Sequence, residues 1–112
     1  MKGNLHQAKK TLLDANNDVF ASAASAWEIA IKHSLGKIEL PGPPETWLPE
    51  AVVSSGFDWI EITPEDALRV ASLPWRHRDP FDRMLIAQTF RGFTLATSDE
   101  RVIAYGVPTL RS

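Results

Sequence analysis

The stretch "HRDPFDRMLIAQ" (residues 77–88) decides how the second half of the chain folds. Asp79 before Pro80 indicates a helix N-cap with proline at the first helical position, where its missing N–H is not needed. Asp82 falls at the third helical position, where the helix dipole favours a carboxylate that can bond back toward the cap. The apolar spacing that follows predicts a helix to about Arg91. The pattern leaves open whether the two aspartates only start the helix or also hold a ligand.

Composition restricts the class of protein. The chain has 112 residues, 44% hydrophobic and 23% charged, which is typical of one globular domain. No apolar run approaches the about 20 residues of a membrane span, and we expect no secretory signal. Cysteine is absent, which excludes disulfides and thiolate metal sites and fits the cytoplasm, where we expect the protein. A net charge of -2 means that any contact with nucleic acid must be local.

Helical and strand-like segments alternate along the sequence. Spacing of apolar residues predicts helices over residues 4–15, 23–35, 45–55, 63–73, 80–91 and 98–105. In the helix over 63–73, Thr63 is predicted as the cap, with Pro64 at the first position and Asp66 at the third. Short apolar runs predict strands over residues 18–22, 56–63, 93–97 and 107–110. Strands that alternate with helices predict an α/β fold with a mainly parallel sheet covered on both faces.

Acidic residues follow two of these strands, where ligands of open α/β sheets bind. Glu28 is predicted in the first turn of the helix after residues 18–22. Asp99 follows the strand at residues 93–97, and Asp82 begins the helix before that strand. Carboxylates at one edge with no obvious cationic partner would repel each other unless a hard cation neutralised them. The sequence therefore predicts a Mg²⁺ or Mn²⁺ site that activates water for phosphodiester hydrolysis.

Each acid also has a purely structural interpretation. Ser25 and Glu28 fit a capping box, and Asp99 fits an ordinary N-cap. The sequence has no G-x-S-x-G elbow, Gly-rich phosphate loop or H-E-x-x-H motif. Its three histidines lack metal-ligand spacing, so His33 and His77 are predicted to be exposed polar residues rather than catalysts. The four tryptophans are predicted to lie in the core or on a partner surface rather than to stack on bases.

Three segments in the same order resemble PIN-domain proteins, specifically VapC-type toxins of toxin–antitoxin modules. These are "VFASAASAWEIAIKHSLGKIELP" (19–41), "HRDPFDRMLIAQ" (77–88) and "LATSDERVIAYGV" (95–107). The resemblance implies a PIN-like three-layer α/β fold over residues 1–112. It also implies a ribonuclease that uses Mg²⁺ or Mn²⁺, an RNA substrate, a cognate antitoxin and a homodimer.

The resemblance also implies roles for individual residues. Three acids would bind the metal and act in catalysis: Glu28, Asp82 and Asp99. Asp79 would cap the helix, contact the metal from outside its ligand shell, or both. Arg78 and Arg83 would contact phosphate or pair with the acids, and pairing is the commoner arrangement for an arginine beside carboxylates.

One departure from the family concerns the first strand, which typically ends like "LLDTH" and lies in the middle of the sheet. The similar "TLLDANND" (11–18) falls within the predicted first helix, so Asp14 is not accepted as the first acid. We therefore expect an absent central strand, two open inner edges and a domain incomplete at its N-terminus. The first hypothesis is a truncated, weakly active or inactive ribonuclease. The alternatives are a non-catalytic remnant that binds an antitoxin or subunit and, more remotely, an α/β phosphatase.

Overall fold

The computed structural model describes residues 11–13 and 19–110, and within them strands and helices alternate. The strands are β1 (Thr11–Leu13), β2 (Val19–Ser22), β3 (Asp58–Ile60), β4 (Thr94–Ala96) and β5 (Thr109–Leu110). The helices are α1 (Ala23–Ser34), α2 (Pro44–Ser54), α3 (Pro64–Val70), α4 (Pro80–Gln88) and α5 (Glu100–Ile103). A 3₁₀ turn, Thr89–Arg91, extends α4. The four predicted strands are confirmed, each shorter than the predicted range.

All five strands form one sheet in the order β3-β2-β1-β4-β5. Strand β2 is parallel to β3, β4 is parallel to β5, and β1 is antiparallel to both of its neighbours. Strands β2 to β5 therefore point in one direction, and we call the edge at which they end the carboxyl edge. The prediction of an α/β fold with a mainly parallel sheet is confirmed.

The centre of the sheet is occupied by β1, where a gap was expected. Leu12 pairs with Phe20 on one side and with Leu95 on the other. The helix predicted over residues 4–15 is therefore wrong at Thr11–Leu13. Three apolar or β-branched residues fit the spacing of a helix as well as that of a strand, so the pattern alone could not distinguish the two. The remainder of that helix and Asp14 lie outside the described residues.

Strand β1 runs opposite to the other four strands. Leu13 pairs with Val19 and Thr94, which begin β2 and β4. The last residue of β1 consequently lies at the edge opposite the carboxyl edge. Of the described residues, the predicted acids come from the helix after β2, the loop after β4 and the first turn of α4.

Helix α4 is the most buried helix in the described part of the chain, and it packs in the larger of two apolar clusters. The larger cluster contains Ala24, Ile60, Leu73, Leu85, Ile86, Ala87, Leu95 and Val102. The smaller cluster contains Ala21, Ile29, Ile38, Leu48 and Val52. Burial of this apolar surface is the main driving force for folding. The apolar face predicted for the helix, with Leu85 and Ile86, is confirmed.

Gln88, the last residue of α4, fixes that helix against the carboxyl edge. Its Oε1 accepts a 2.6 Å hydrogen bond from the hydroxyl of Ser22, the last residue of β2. Its Nε2 donates to the carbonyl oxygen of Glu61, directly after β3, at 3.3 Å. Gln88 is fully buried, so these bonds have no competition from water. These two bonds fix the last residue of α4 and thereby determine where its first turn lies.

The two helices that carry predicted site residues begin differently. Asp79 caps α4 as predicted, because its Oδ1 accepts from the backbone N–H groups of Phe81 and Asp82. Helix α1 is capped by Ser22, whose Oγ accepts from the N–H of Ala24. The capping box predicted at Ser25 is therefore wrong, and Glu28 lies in the second turn rather than the first.

Helix α3 begins with the capping box that the sequence predicts. The N–H of Asp66 donates to the Thr63 hydroxyl, and the N–H of Thr63 donates to Asp66 Oδ2. Arg91 adds two bonds to the same carboxylate, at 3.0 Å from Nε and 2.8 Å from Nη2. Burial raises the pKa of Asp66, but the bonds from Arg91 and Thr63 outweigh burial and hold the pKa below its ordinary value.

Replacing this buried carboxylate should weaken the fold in a pH-dependent way. We expect Asp66→Asn to lower the free energy of unfolding by about 2 kcal/mol at neutral pH, because charged hydrogen bonds are lost. The folded pKa is depressed, so the advantage of the wild type is complete above the unfolded pKa near 3.8. It is lost as the pH falls through the lower folded pKa. Urea unfolding at several pH values measures both effects.

Glu65→Gln is the matched control in the same helix. Its exposed pair with Arg69 spans 3.8 Å, so the change should stay within about 0.5 kcal/mol. Equal losses in the two variants, or a loss at Asp66 that does not change with pH, would contradict the assignment.

Candidate metal centre

Asp82 and His77 form a buried pair at the start of α4. The distance from His77 Nε2 to Asp82 Oδ2 is 2.8 Å, and the two residues are only 6% and 3% exposed. The N–H of Asp79 approaches His77 Nδ1 at 3.4 Å. This arrangement fits the tautomer whose proton is on Nε2, which then donates to Asp82. The prediction that His77 is an exposed polar residue is therefore wrong.

Asp99 approaches the same imidazole from the loop after β4. Its Oδ2 lies 3.6 Å from His77 Nε2. Its Oδ1 accepts from the backbone N–H of Arg101 at 2.9 Å, so Asp99 is the N-cap of α5. The structure thus brings together two of the three predicted acids, Asp82 and Asp99, with His77 between them.

Glu28 is placed differently from the other two acids. Its carboxylate is 2% exposed and accepts a 2.8 Å bond from Lys32, one helical turn later. The ring of its neighbour Trp27 packs edge-on against Phe81 with centroids 5.1 Å apart. This contact places the second turn of α1 beside the first turn of α4. The carboxylate of Glu28 is nevertheless not one of the ligand atoms that converge with His77.

Among the described residues, a metal-ligating set forms from His77, Asp79 and Asp82. One ligand atom from each lies within 4.8 Å of the other two. One imidazole nitrogen and two carboxylate oxygens are a donor set that suits a divalent cation, with water completing the coordination. Asp79 therefore combines its predicted capping role with a place in this set.

Two of the three predicted acids, for which no cationic partner was expected, are paired with a cationic side chain. Lys32 pairs with Glu28, and Arg101 approaches Asp99 Oδ2 at 3.2 Å. Burial raises the pKa of Asp99, but its hydrogen bonds with Arg101 and the charge of Arg101 lower the pKa below its ordinary value. A metal that contacted Glu28 or Asp99 would therefore replace Lys32 or Arg101, whereas Asp82 is hydrogen-bonded to the imidazole of His77.

Arg83 serves neither of the roles expected of it. Its side chain is 2% exposed, which removes it from contact with a phosphate in solvent. It donates to four backbone carbonyl oxygens in the segment before α4: Val70 at 2.8 Å, Leu73 at 3.3 Å, Pro74 at 2.9 Å and His77 at 3.4 Å. Arg83 is thus a structural residue that fixes this segment.

The hydroxyl of Tyr105 completes the attachment of the segment before α4. It donates to the carbonyl oxygen of Pro74 at 2.6 Å and accepts from Arg83 Nη1 at 3.1 Å. It also lies 3.1 Å from the backbone N–H groups of Arg76 and His77. Tyr105 follows α5, so its hydroxyl fixes the His77 backbone relative to the helix that Asp99 caps.

A cavity of about 390 Å³ opens beside these residues. It is lined by Trp75, Arg76, His77, Arg78, Asp79 and Arg101. Arg78 is exposed there, so it remains a candidate for phosphate contact.

Sequence reasoning missed His77 and Tyr105. The position of His77 directly before "RDPFDR" was the one available signal, whereas nothing in the sequence marks Tyr105.

The match to a known protein family covers this site. Residues 2–107 match the family described as PIN domain. Ribonuclease VapC16 of Mycobacterium tuberculosis (strain ATCC 25618 / H37Rv) is 36% identical over 58 residues. That alignment spans 52% of this chain but only 41% of the relative's length. No solved structure matches the chain. In the described part of the chain, no helix is both long and apolar enough to cross a membrane.

The buried position of Arg83 leads to a test of the segment it fixes. We expect Arg83→Lys to lower the free energy of unfolding by about 3 kcal/mol. A lysine has three donors on one atom and would leave buried carbonyl oxygens unpaired. Arg78→Lys, at an exposed position, should change it by less than about 0.5 kcal/mol. Denaturant unfolding measures both, and an Arg83→Lys protein as stable as wild type would refute the structural role.

Proposed function

Because this chain belongs to the PIN-domain family, we propose that it is a VapC-like ribonuclease that hydrolyses RNA internally with the help of Mg²⁺ or Mn²⁺. The observation that carries the proposal is the convergence of His77, Asp79 and Asp82 beside Asp99. Such a site needs no protein nucleophile, which agrees with the absence of a nucleophile motif in the sequence.

The proposal assigns the cation to His77, Asp79 and Asp82, and keeps Glu28, Asp82 and Asp99 as the catalytic acids. When bound, the cation would supply a water of lowered pKa and polarise the phosphate. Imidazole beside carboxylates favours Mn²⁺ over Mg²⁺, which prefers oxygen ligands and retains several waters.

The remaining chemistry falls to side chains of this chain. Asp82 holds the imidazole of His77 in place through the 2.8 Å hydrogen bond. Arg78 at the cavity wall attracts the phosphate backbone. Lys32 and Arg101 must release Glu28 and Asp99 before those carboxylates can face a ligand. Both cations are partly exposed, at 30% and 68%, so each can turn into solvent.

A second candidate, a non-catalytic module that binds an antitoxin or another subunit, is favoured by one observation. Lys32, Arg101 and His77 already neutralise or hydrogen-bond the three acids without a metal. A protein with this site could be stable and metal-free. Metal binding and RNA cleavage therefore distinguish the two candidates.

The ribonuclease proposal predicts the effect of Asp82→Asn. This variant keeps the shape of the side chain but removes the charged ligand, so RNA cleavage with Mg²⁺ or Mn²⁺ should fall by more than about 100-fold. The stabilisation of wild-type protein by Mn²⁺ in a thermal unfolding assay should be lost as well. Asp58→Asn, an exposed change in β3, is the control that should retain both activities.

Two results decide between the candidates. Wild-type protein that neither cleaves RNA nor gains thermal stability with Mn²⁺ would overturn the ribonuclease proposal and favour the binding module. Cleavage that survives Asp82→Asn would indicate a contaminating nuclease or a different site.

The family resemblance extends the proposal to partners and location. We propose a cytoplasmic protein that is silenced by an antitoxin and that forms a homodimer. Co-expression with the product of each flanking gene should yield a stable complex in which RNA cleavage is suppressed. Light scattering on the chain alone should give the mass of two copies. Failure of both flanking products to associate would remove the antitoxin from the proposal, and a monomeric mass would remove the homodimer.

A further inference from the structure

Trp75 is a large aromatic side chain that the fold leaves in solvent. It lies between α3 and α4, and 74% of its surface is exposed. The guanidinium carbon of Arg83 lies 3.8 Å from its ring centroid. Arg83 therefore supports one side of the indole through a cation–π contact. Because so much of the ring remains exposed, burial in a core does not explain this tryptophan.

The backbone on both sides of Trp75 is fixed. The carbonyl oxygen of Pro74 accepts from Arg83 and from the Tyr105 hydroxyl, at 2.9 and 2.6 Å. The N–H of Arg76 donates to the same hydroxyl at 3.1 Å. An exposed ring on a fixed backbone loses little conformational entropy when it binds a partner. Trp75 is thus organised in advance as a flat contact surface.

The surroundings of Trp75 add positive charge to this surface. Trp75 lines the 390 Å³ cavity together with three arginines, Arg76, Arg78 and Arg101, and with His77 and Asp79. Arg101 is engaged by Asp99. Neither Arg76 nor Arg78 has an ion pair with any carboxylate of the described residues. An aromatic face beside two arginines matches a nucleotide, whose base stacks and whose phosphate is anionic.

We propose that Trp75 is a platform on which one base of single-stranded RNA stacks, while Arg76 and Arg78 bind the adjoining phosphates. This proposal deepens the proposed function and rests on it for the identity of the polymer as substrate. An acidic peptide is the less favoured ligand, because it would use the two arginines but leave the indole face without a partner. Stacking of a base on one aromatic side chain corresponds to about 5- to 150-fold in affinity.

Trp59 provides a matched control. It is also partly exposed, at 42%, but it lines a separate groove of about 810 Å³ with no arginine in its wall. A substitution there removes an exposed indole without touching the basic cavity. Any general effect of losing a surface tryptophan should appear in both variants.

The experiment measures binding without cleavage. Fluorescence anisotropy of a short labelled single-stranded RNA, in EDTA, is recorded for wild type, Trp75→Ala, Trp75→Phe and Trp59→Ala. We expect Trp75→Ala to weaken binding at least about 5-fold, and Trp75→Phe and Trp59→Ala to weaken it less than about 2-fold. An abasic strand of the same length should bind wild type about as weakly as the complete RNA binds Trp75→Ala. Trp75→Phe keeps an aromatic ring against Arg83, so it also guards against loss of the fold.

Several outcomes would overturn the platform. These are unchanged binding by Trp75→Ala, an equal loss in Trp59→Ala, equal affinity for the abasic strand, no RNA binding by wild type, or tighter binding of labelled poly-glutamate. The last would indicate an acidic protein partner. RNA binding that depends on Trp75 without metal-dependent cleavage would support the platform and refute the ribonuclease proposal. Metal-dependent cleavage by a protein whose RNA affinity does not depend on Trp75 would support the ribonuclease proposal and refute the platform.

Discussion

The buried guanidinium of Arg83 is the interaction on which the geometry of the candidate site depends. A charge removed from water is costly unless its donors are satisfied, and here they bind backbone carbonyl oxygens and the Tyr105 hydroxyl. These hydrogen bonds offset the cost, and they form only when the backbone of the segment before α4 adopts one conformation. That conformation places His77 against Asp82 and leaves Trp75 at the surface. One residue of the motif therefore fixes the loop that supplies the site, although it is hidden from any ligand.

Two aspartates at the candidate site also cap helices. Asp79 caps α4 and Asp99 caps α5, and both carboxylates lie near His77. Helix N-termini favour negative charge. Burial raises the pKa of Asp99, but its hydrogen bonds with Arg101 hold that pKa below its ordinary value. Two neighbouring acids, Glu28 and Asp99, are already paired internally with Lys32 and Arg101.

Local sequence signals predicted much of this arrangement. The caps at Thr63 and Asp79 could be predicted, because a proline directly follows each cap and an aspartate lies three residues after it. The cap of α1 was predicted at Ser25, three residues after its observed position at Ser22, because both serines precede the same pattern of apolar residues. The burial of His77 and Arg83 could not be predicted, because it depends on Tyr105 and on carbonyl oxygens that only the folded chain brings together. The three residues of β1 were too few to distinguish a strand from a helix by period.

Strand β1 also has a consequence for the order of folding. It is the hydrogen-bonded link between two parallel pairs, β2 with β3 and β4 with β5. Its pairing with β2 joins neighbours in the sequence, whereas its pairing with β4 joins segments from opposite ends of the chain. Closing so long a loop carries an entropic cost that delays the contact. We therefore expect the two halves of the carboxyl edge, one with Glu28 after β2 and the other with Asp99 after β4, to come into register late in folding.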